Sequence, residues 1–270
     1  MKYFIGVVFL ALLSHPARAQ YDDRFYHPDK VMQKIEGVTS EKFFLNNDSA
    51  KLDGLMLKTK AKKPVATIMF FPGAGGNIST YVPMLKPFVD SGFQVYMVDY
   101  RGFGQSTGKP THMHIAKDEQ AAFNHMLKRK DVIGTKIILF GVSMGTQVAT
   151  KIARDNQEKV AALVLESVVS SFTDIAADKT DKPEQKKYIL ENIKSPYSAA
   201  EDVQYIENMP KLFIHSLDDD DVPIKEAKKV YENALDPKWF WQVQAKHLET
   251  IIYFDVEYIA RVKKLLTYNH

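Results

Sequence analysis

The residues with the clearest chemical potential are Gly141-Val142-Ser143-Met144-Gly145, a G-x-S-x-G run. It follows the apolar segment KIILF (136 to 140) and opens a stretch with helix-spaced apolar residues (144 to 156), so the serine falls at a strand-to-helix turn. Glycine on either side lets the chain bend sharply and lift the hydroxyl above the end of a sheet. Such a serine becomes a nucleophile once it has a base to take its proton, an acid to orient that base, and N–H donors for the oxyanion.

The chain offers a candidate for each role. The glycine-rich run FFPGAGGN (70 to 77) follows an apolar strand and can bring backbone N–H groups to a substrate oxygen. With no G-K-[ST] and no G-x-G-x-x-G in that loop, a phosphate cradle is not expected. Among the histidines, His247 follows the last strand and comes after the run Asp218 to Asp221, which keeps the chain order Ser, Asp, His. His215 ends an apolar strand and reads as a residue packed beneath the site. Glu166, ending an earlier strand, is the alternative acid. His112 and His114 lack a nearby third ligand and read as an exposed loop pair rather than a metal site.

These residues need a scaffold, and the apolar pattern supplies one. KFFLN (42 to 46) and KLDGLMLK (51 to 58), joined by NNDS, predict an antiparallel edge. Six short apolar runs follow: VATIMFF (65 to 71), QVYMVD (94 to 99), KIILFG (136 to 141), VAALVLE (160 to 166), KLFIH (211 to 215) and KWFWQV (238 to 243). Continuous apolar runs suit strands buried on both faces, hence a parallel sheet. Helical patterns at about 79–91, 115–130, 144–156, 224–235 and 249–267 alternate with them, which predicts an α/β sheet covered on both sides. Residues 167–210 are too many for a simple connection and predict a cap of one or two short helices, with DKTDKPEQKK as a solvated surface.

Composition excludes several classes. The 270 residues contain no cysteine, which removes thiol nucleophiles, disulfides and zinc-thiolate sites. The 36 Lys+Arg are interspersed with 33 Asp+Glu, so nucleic-acid binding has no compositional support. At the N-terminus, Lys2, the apolar run Tyr3 to Leu13 and Ala17-Arg18-Ala19 predict a signal peptide (1–19) cleaved before Gln20. That run is too short to span a bilayer, so no stable membrane anchor is expected and the location is secreted or periplasmic. A polar, loosely held arm (20–39) then leads into one domain (40–270).

The runs FFPGAGGNIS, DYRGFGQSTG (99 to 108), GVSMG, LFIHSLDDDDVP (212 to 223) and AKHLE (245 to 249), in that order and spacing, resemble the α/β-hydrolase superfamily. The likeness is to its small-capped serine hydrolases, a branch that includes ABHD-type acyl hydrolases and dienelactone-hydrolase or prolyl-peptidase-like relatives. It covers roughly residues 40 to 268. It implies an α/β-hydrolase fold with a mainly parallel eight-stranded sheet, helices on both faces, a small helical cap and no cofactor.

The resemblance puts the nucleophile on Ser143, the base on His247, and the oxyanion donors on the N–H groups of Ala74 and Met144. Its acid stands four residues after the strand-end His215 and four before Pro223, which is Asp219 by either count. Pro72 replaces the relatives' usual histidine and Ser216 a common glycine. The Ala74 donor is unaffected by Pro72. Arg101 reads as a structural ion pair rather than a substrate contact. Phe172, Ile175, Tyr188, Ile189 and Tyr197 in the cap either line an acyl pocket or pack the cap onto the sheet.

The expected function is hydrolysis of a small-molecule carboxyl ester or thioester through an acyl-enzyme. The alternatives are an exopeptidase or amidase on the same scaffold, and a catalytically silent fold that binds a ligand or partner.

Overall fold

The computed structural model describes residues 25–268; the predicted signal peptide lies outside them. Thr39–Asn47 (β1) and Ala50–Lys58 (β2) form the expected antiparallel hairpin, closed by a two-residue turn in which Asp48 takes a φ of 50°. Aspartate tolerates this left-handed conformation because its short side chain can hydrogen-bond locally.

The next six strands are Thr67–Phe71 (β3), Gln94–Val98 (β4), Ile137–Val142 (β5), Ala162–Glu166 (β6), Lys211–Ser216 (β7) and Lys238–Val243 (β8). They fall on the six predicted runs. Every residue of β3 to β7 is buried, whereas β1 and β8 alternate as edge strands do. The sheet order is β1-β2-β4-β3-β5-β6-β7-β8, with β2 antiparallel to both neighbours and every other pair parallel.

The helices, in chain order, are Val82–Asp90 (α1), His112–Met126 (α2), Gly145–Asp155 (α3), Phe172–Asp178 (α4), Pro183–Asn192 (α5), Ala199–Asp202 (α6), Ile224–Asn233 (α7) and Thr250–Leu265 (α8). Leu85 and Phe88 of α1 join Tyr258 and Val262 of α8 in one core against the sheet. Phe123 of α2, Ala149 and Ile152 of α3 and Val230 of α7 build another. Burying a face of each helix in this way removes a large apolar area from water, at roughly 25 cal/mol per Å2.

The insertion differs from expectation in having three short helices, α4 to α6, instead of one or two. Val169, Phe172 and Ile175 gather with Val222 around Met144, so the cap packs directly on the residue after Ser143. The arm differs more. Its described part, residues 25–39, is not loosely held: Tyr26 is buried against Phe103 and His112, and Met32, Ile35 and Val38 pack on the core.

The glycines beside Ser143 follow from close packing. A Cβ on Gly145 would lie 2.2 Å from the Phe71 carbonyl oxygen and 2.5 Å from that of Pro72, both backbone atoms that cannot swing aside. Gly145→Ala is expected to destabilise the fold by about 3 kcal/mol. That lowers Tm by roughly 6–12 °C for a chain of this size, read by thermal unfolding.

Candidate active site

Ser143 follows β5 directly and holds a φ of 51°, a conformation unfavourable for a side chain and sustained by its surroundings. Its N–H donates to the Glu166 carbonyl at 2.9 Å, and the Thr146 N–H and hydroxyl both return to the Ser143 carbonyl. Met144 then stands at the N-terminus of α3, where backbone N–H groups have no intrahelical acceptor. Ser143, Met144, Gly73, Ala74 and His247 line one cavity of about 860 Å3, within the range of small-molecule sites.

His247 lies in the loop between β8 and α8. Its Nδ1 donates to Asp219, 2.9 Å from Oδ2 and 3.0 Å from Oδ1. That bond leaves Nε2 as the ring's proton acceptor. Asp219 also accepts the Val222 and Asp221 N–H groups, at 2.9 and 3.0 Å. Its side chain is fully buried, while Asp218, Asp220 and Asp221 are exposed. Burial opposes ionisation of Asp219, yet the His247 and Val222 contacts outweigh it and hold the carboxyl below its ordinary value.

Glu166, the alternative acid, is buried and accepts a hydrogen bond from the Tyr258 hydroxyl at 2.8 Å; burial pushes its carboxyl up. His215 lies beneath, its Nε2 donating to the Val222 carbonyl at 2.9 Å, which closes the turn that carries Asp219. Burial lowers its basicity.

Ser216 has a part the sequence did not reveal. Its hydroxyl bonds the Ala245 carbonyl and accepts the Ala245 N–H at 3.0 Å and the Asp218 N–H at 3.2 Å. The Asp219 turn and the His247 loop are thereby clamped to the same side chain. Nothing in the run LFIHSLDDDD marks a serine as such a bridge.

The glycine-rich loop lies against the serine: a Cβ on Gly73 would sit 3.4 Å from that of Ser143. Tyr81 braces the loop by accepting the Gly73 N–H at 3.0 Å and donating to the Gly75 carbonyl at 3.2 Å. The Tyr100 hydroxyl donates to the Pro72 carbonyl at 2.7 Å, so Pro72 is turned into the structure and does not line the cavity.

The loop 99–108 supports the glycine-rich loop and the turn that follows it. Arg101 is buried in a two-pronged bond with Asp118, at 2.6 and 2.8 Å, which is the structural role expected of it. Asp99 accepts the Ile78 N–H at 2.8 Å; burial pushes its carboxyl up to about 7. A raised carboxyl favours the folded state while protonated. This contribution is full below pH 3.8, falls as pH rises toward about 7, and is absent above. The advantage in Tm of wild type over Asp99→Asn is therefore expected to shrink as pH rises across that window. A constant difference in a pH series of melts would contradict it.

Several expectations for the pocket need correction. Ile175 and Ile189 line the cavity, with Val169, Ala176, Val222 and Leu248. Phe172, Tyr188 and Tyr197 do not. Phe172 is buried between the cap and Met144, Tyr197 is buried with its hydroxyl on the His112 carbonyl, and Tyr188 faces solvent. The charged run is more than a solvated surface, since Lys179, Thr180 and Gln185 reach the cavity rim. His112 and His114 are not a loop pair either: they begin α2, and His112 is buried beside Tyr26, which pushes its ring down to about 3. Phe25 and His27, in the arm, are cavity residues that no motif or periodicity singles out.

Sheet order, elbow and cap define an α/β hydrolase, and the chain belongs to the α/β-hydrolase superfamily. A family model described as serine aminopeptidase, S33, matches residues 62–181. The chain is 30% identical over 219 residues to the uncharacterized protein YfhR of Escherichia coli (strain K12), spanning 79% of this chain and 75% of that one. It is 35% identical over 166 residues to protein ABHD12B of Homo sapiens, spanning 56% and 44%. Among solved structures, the Pyrococcus furiosus esterase Pf2001 shares the fold with a TM-score of 0.70 at 19% identity, covering 89% of this chain and 98% of that one. Acetyl xylan esterase 1 from Thermoanaerobacterium sp. JW/SL YS485 does so with a TM-score of 0.66 at 17% identity, covering 93% and 94%.

Proposed function

We propose that the protein is a serine hydrolase that cleaves a small-molecule carboxyl ester or thioester. The observation that carries this reading is the buried Asp219 bonded to His247, on a cavity that His247 shares with a strained Ser143 and with Ala74. Ser143 Oγ attacks the substrate carbonyl while His247 Nε2 takes its proton. Asp219 holds the ring in the required tautomer and stabilises its positive form. The Ala74 and Met144 N–H groups receive the oxyanion. Collapse returns the proton to the departing alcohol or thiol and leaves an acyl group on Ser143. Water, activated by the same histidine, then releases the acid.

The wall chemistry favours an acyl substrate. Phe25, Met144, Val169, Ile175, Ala176, Ile189, Val222 and Leu248 present an apolar surface suited to a hydrocarbon chain. The matched family description raises the alternative of an aminopeptidase, which needs a carboxylate to hold a substrate ammonium. Among the described lining residues the one such group is Asp221, exposed at the rim.

The test is a panel of aryl esters of varied acyl length, thioesters and aminoacyl amides, each run with a Ser143→Ala control. Ester or thioester turnover that vanishes in the control is expected. Faster amide cleavage would select the peptidase reading, and no turnover with no serine-probe labelling would select a silent binding fold. The proposal includes export: protein recovered outside the cytoplasm is expected to begin at Gln20 by intact mass, and recovery of the chain with Met1 would contradict it.

A further inference from the structure

We infer that residues 25–31 are a working part of the active site, which hold the oxyanion loop in place and complete the wall of the acyl cavity. This rests on the serine-hydrolase reading above. A chain segment leading into a fold is ordinarily frayed unless something ties it down. Here the ties go to the loop that carries Ala74. The His27 N–H donates to the Ala74 carbonyl at 2.7 Å and the Asp29 N–H to the Gly76 carbonyl at 2.9 Å, giving a two-residue parallel pairing of His27–Pro28 with Gly75–Gly76.

Asn77 is the anchor. It is buried, and its Nδ2 donates to the Asp29 and Val31 carbonyls at 3.2 and 2.9 Å, while its Oδ1 accepts the Ser79 N–H at 3.0 Å. The Gly104 N–H also donates to the Asp29 carbonyl at 2.9 Å, and Lys30 Nζ to the Ser106 carbonyl at 3.1 Å. The arm thus joins the glycine-rich loop to the loop 99–108.

The loop needs such restraint because it contains Gly73, Gly75 and Gly76, the last at a φ of 77°. Glycine gives the backbone freedom that an oxyanion donor must not have. Tyr81 braces the loop at Gly73 and Gly75; the arm braces it at Ala74 and Gly76. A displacement of about 1 Å at a catalytic group can lower a rate by about 100-fold. Phe25 lies on the cavity wall and meets the Phe172 ring of α4 edge-on, with centroids 4.7 Å apart. The arm therefore also touches the cap, and Phe25 borders the same space as Ile175 and Ile189.

The test uses Asn77→Asp, which keeps the acceptor for Ser79 but removes both donors to the arm, together with Phe25→Ala. For Asn77→Asp, faster amide hydrogen exchange in residues 25–31 and 73–77 is expected. A drop in kcat of about tenfold or more, with KM little changed, should accompany it, the mark of an interaction made in the transition state. Phe25→Ala is expected to shift the preferred acyl length in the ester panel. Unchanged exchange in residues 73–77 would overturn the inference. So would faster exchange with wild-type kcat, or an unaltered acyl preference in Phe25→Ala. If wild type turns over no ester, thioester or amide above Ser143→Ala, the hydrolase reading fails instead, and the exchange result alone decides whether the arm holds the loop.

Discussion

Ser143→Ala is expected to lower kcat for the preferred ester by about a millionfold, and His247→Ala by a similar factor. The reason for the equality is that the two groups act as one. Without the hydroxyl no covalent intermediate forms, and without the imidazole the hydroxyl keeps its proton and is a poor nucleophile. The residual rate belongs to oxyanion stabilisation and binding, which neither change touches. Stability should change little. Both residues are only partly buried, and the strain at Ser143 is a backbone property that alanine inherits. Steady-state kinetics beside a thermal melt reads both quantities. A millionfold loss accompanied by unfolding would not support the assignment, and near-normal turnover in a folded Ser143→Ala protein would refute it.

Asp219→Asn is expected to cost about 10^4 in kcat. The asparagine can present its amide to His247, which favours the tautomer with the proton on Nε2 and so removes the base. Substitutions of Asp218, Asp220 or Asp221 by asparagine should cost tenfold or less, because those side chains are exposed and His247 bonds to Asp219. A mild Asp219→Asn beside a severe Glu166→Gln would transfer the role to the acid on β6. The structure argues for a severe Asp219→Asn, since His247 bonds Asp219 and Glu166 is engaged by Tyr258.

Much of this architecture is legible in the sequence where one local constraint has one solution. The Gly141 and Gly145 positions admit no Cβ, so the elbow is written in residue types. The buried strands are written as continuous apolar runs, and the resemblance to α/β hydrolases, counted from His215 and Pro223, implies Asp219 as the acid, where the structure sets its carboxylate against His247. The parts that escaped depend on direction or distance instead. Which way a side chain faces on the short helices α4 and α5 follows from tertiary packing, so Ile175 and Ile189 could not be separated from Phe172 and Tyr188. Ser216 is a bridge only because Ala245 folds back onto it. The arm's attachment to the glycine-rich loop runs through backbone atoms and the Asn77 carboxamide, which leave no hydrophobic pattern, beside the core packing of Tyr26, Met32, Ile35 and Val38.

The central claim, that Ser143 becomes covalently acylated with the help of His247, is read most directly by a fluorophosphonate probe and peptide mapping by mass spectrometry. The account predicts one adduct per chain, on the peptide that contains Ser143, absent in Ser143→Ala and formed far more slowly in His247→Ala. No adduct on the folded wild-type protein, or an adduct that persists unchanged in Ser143→Ala, would contradict it.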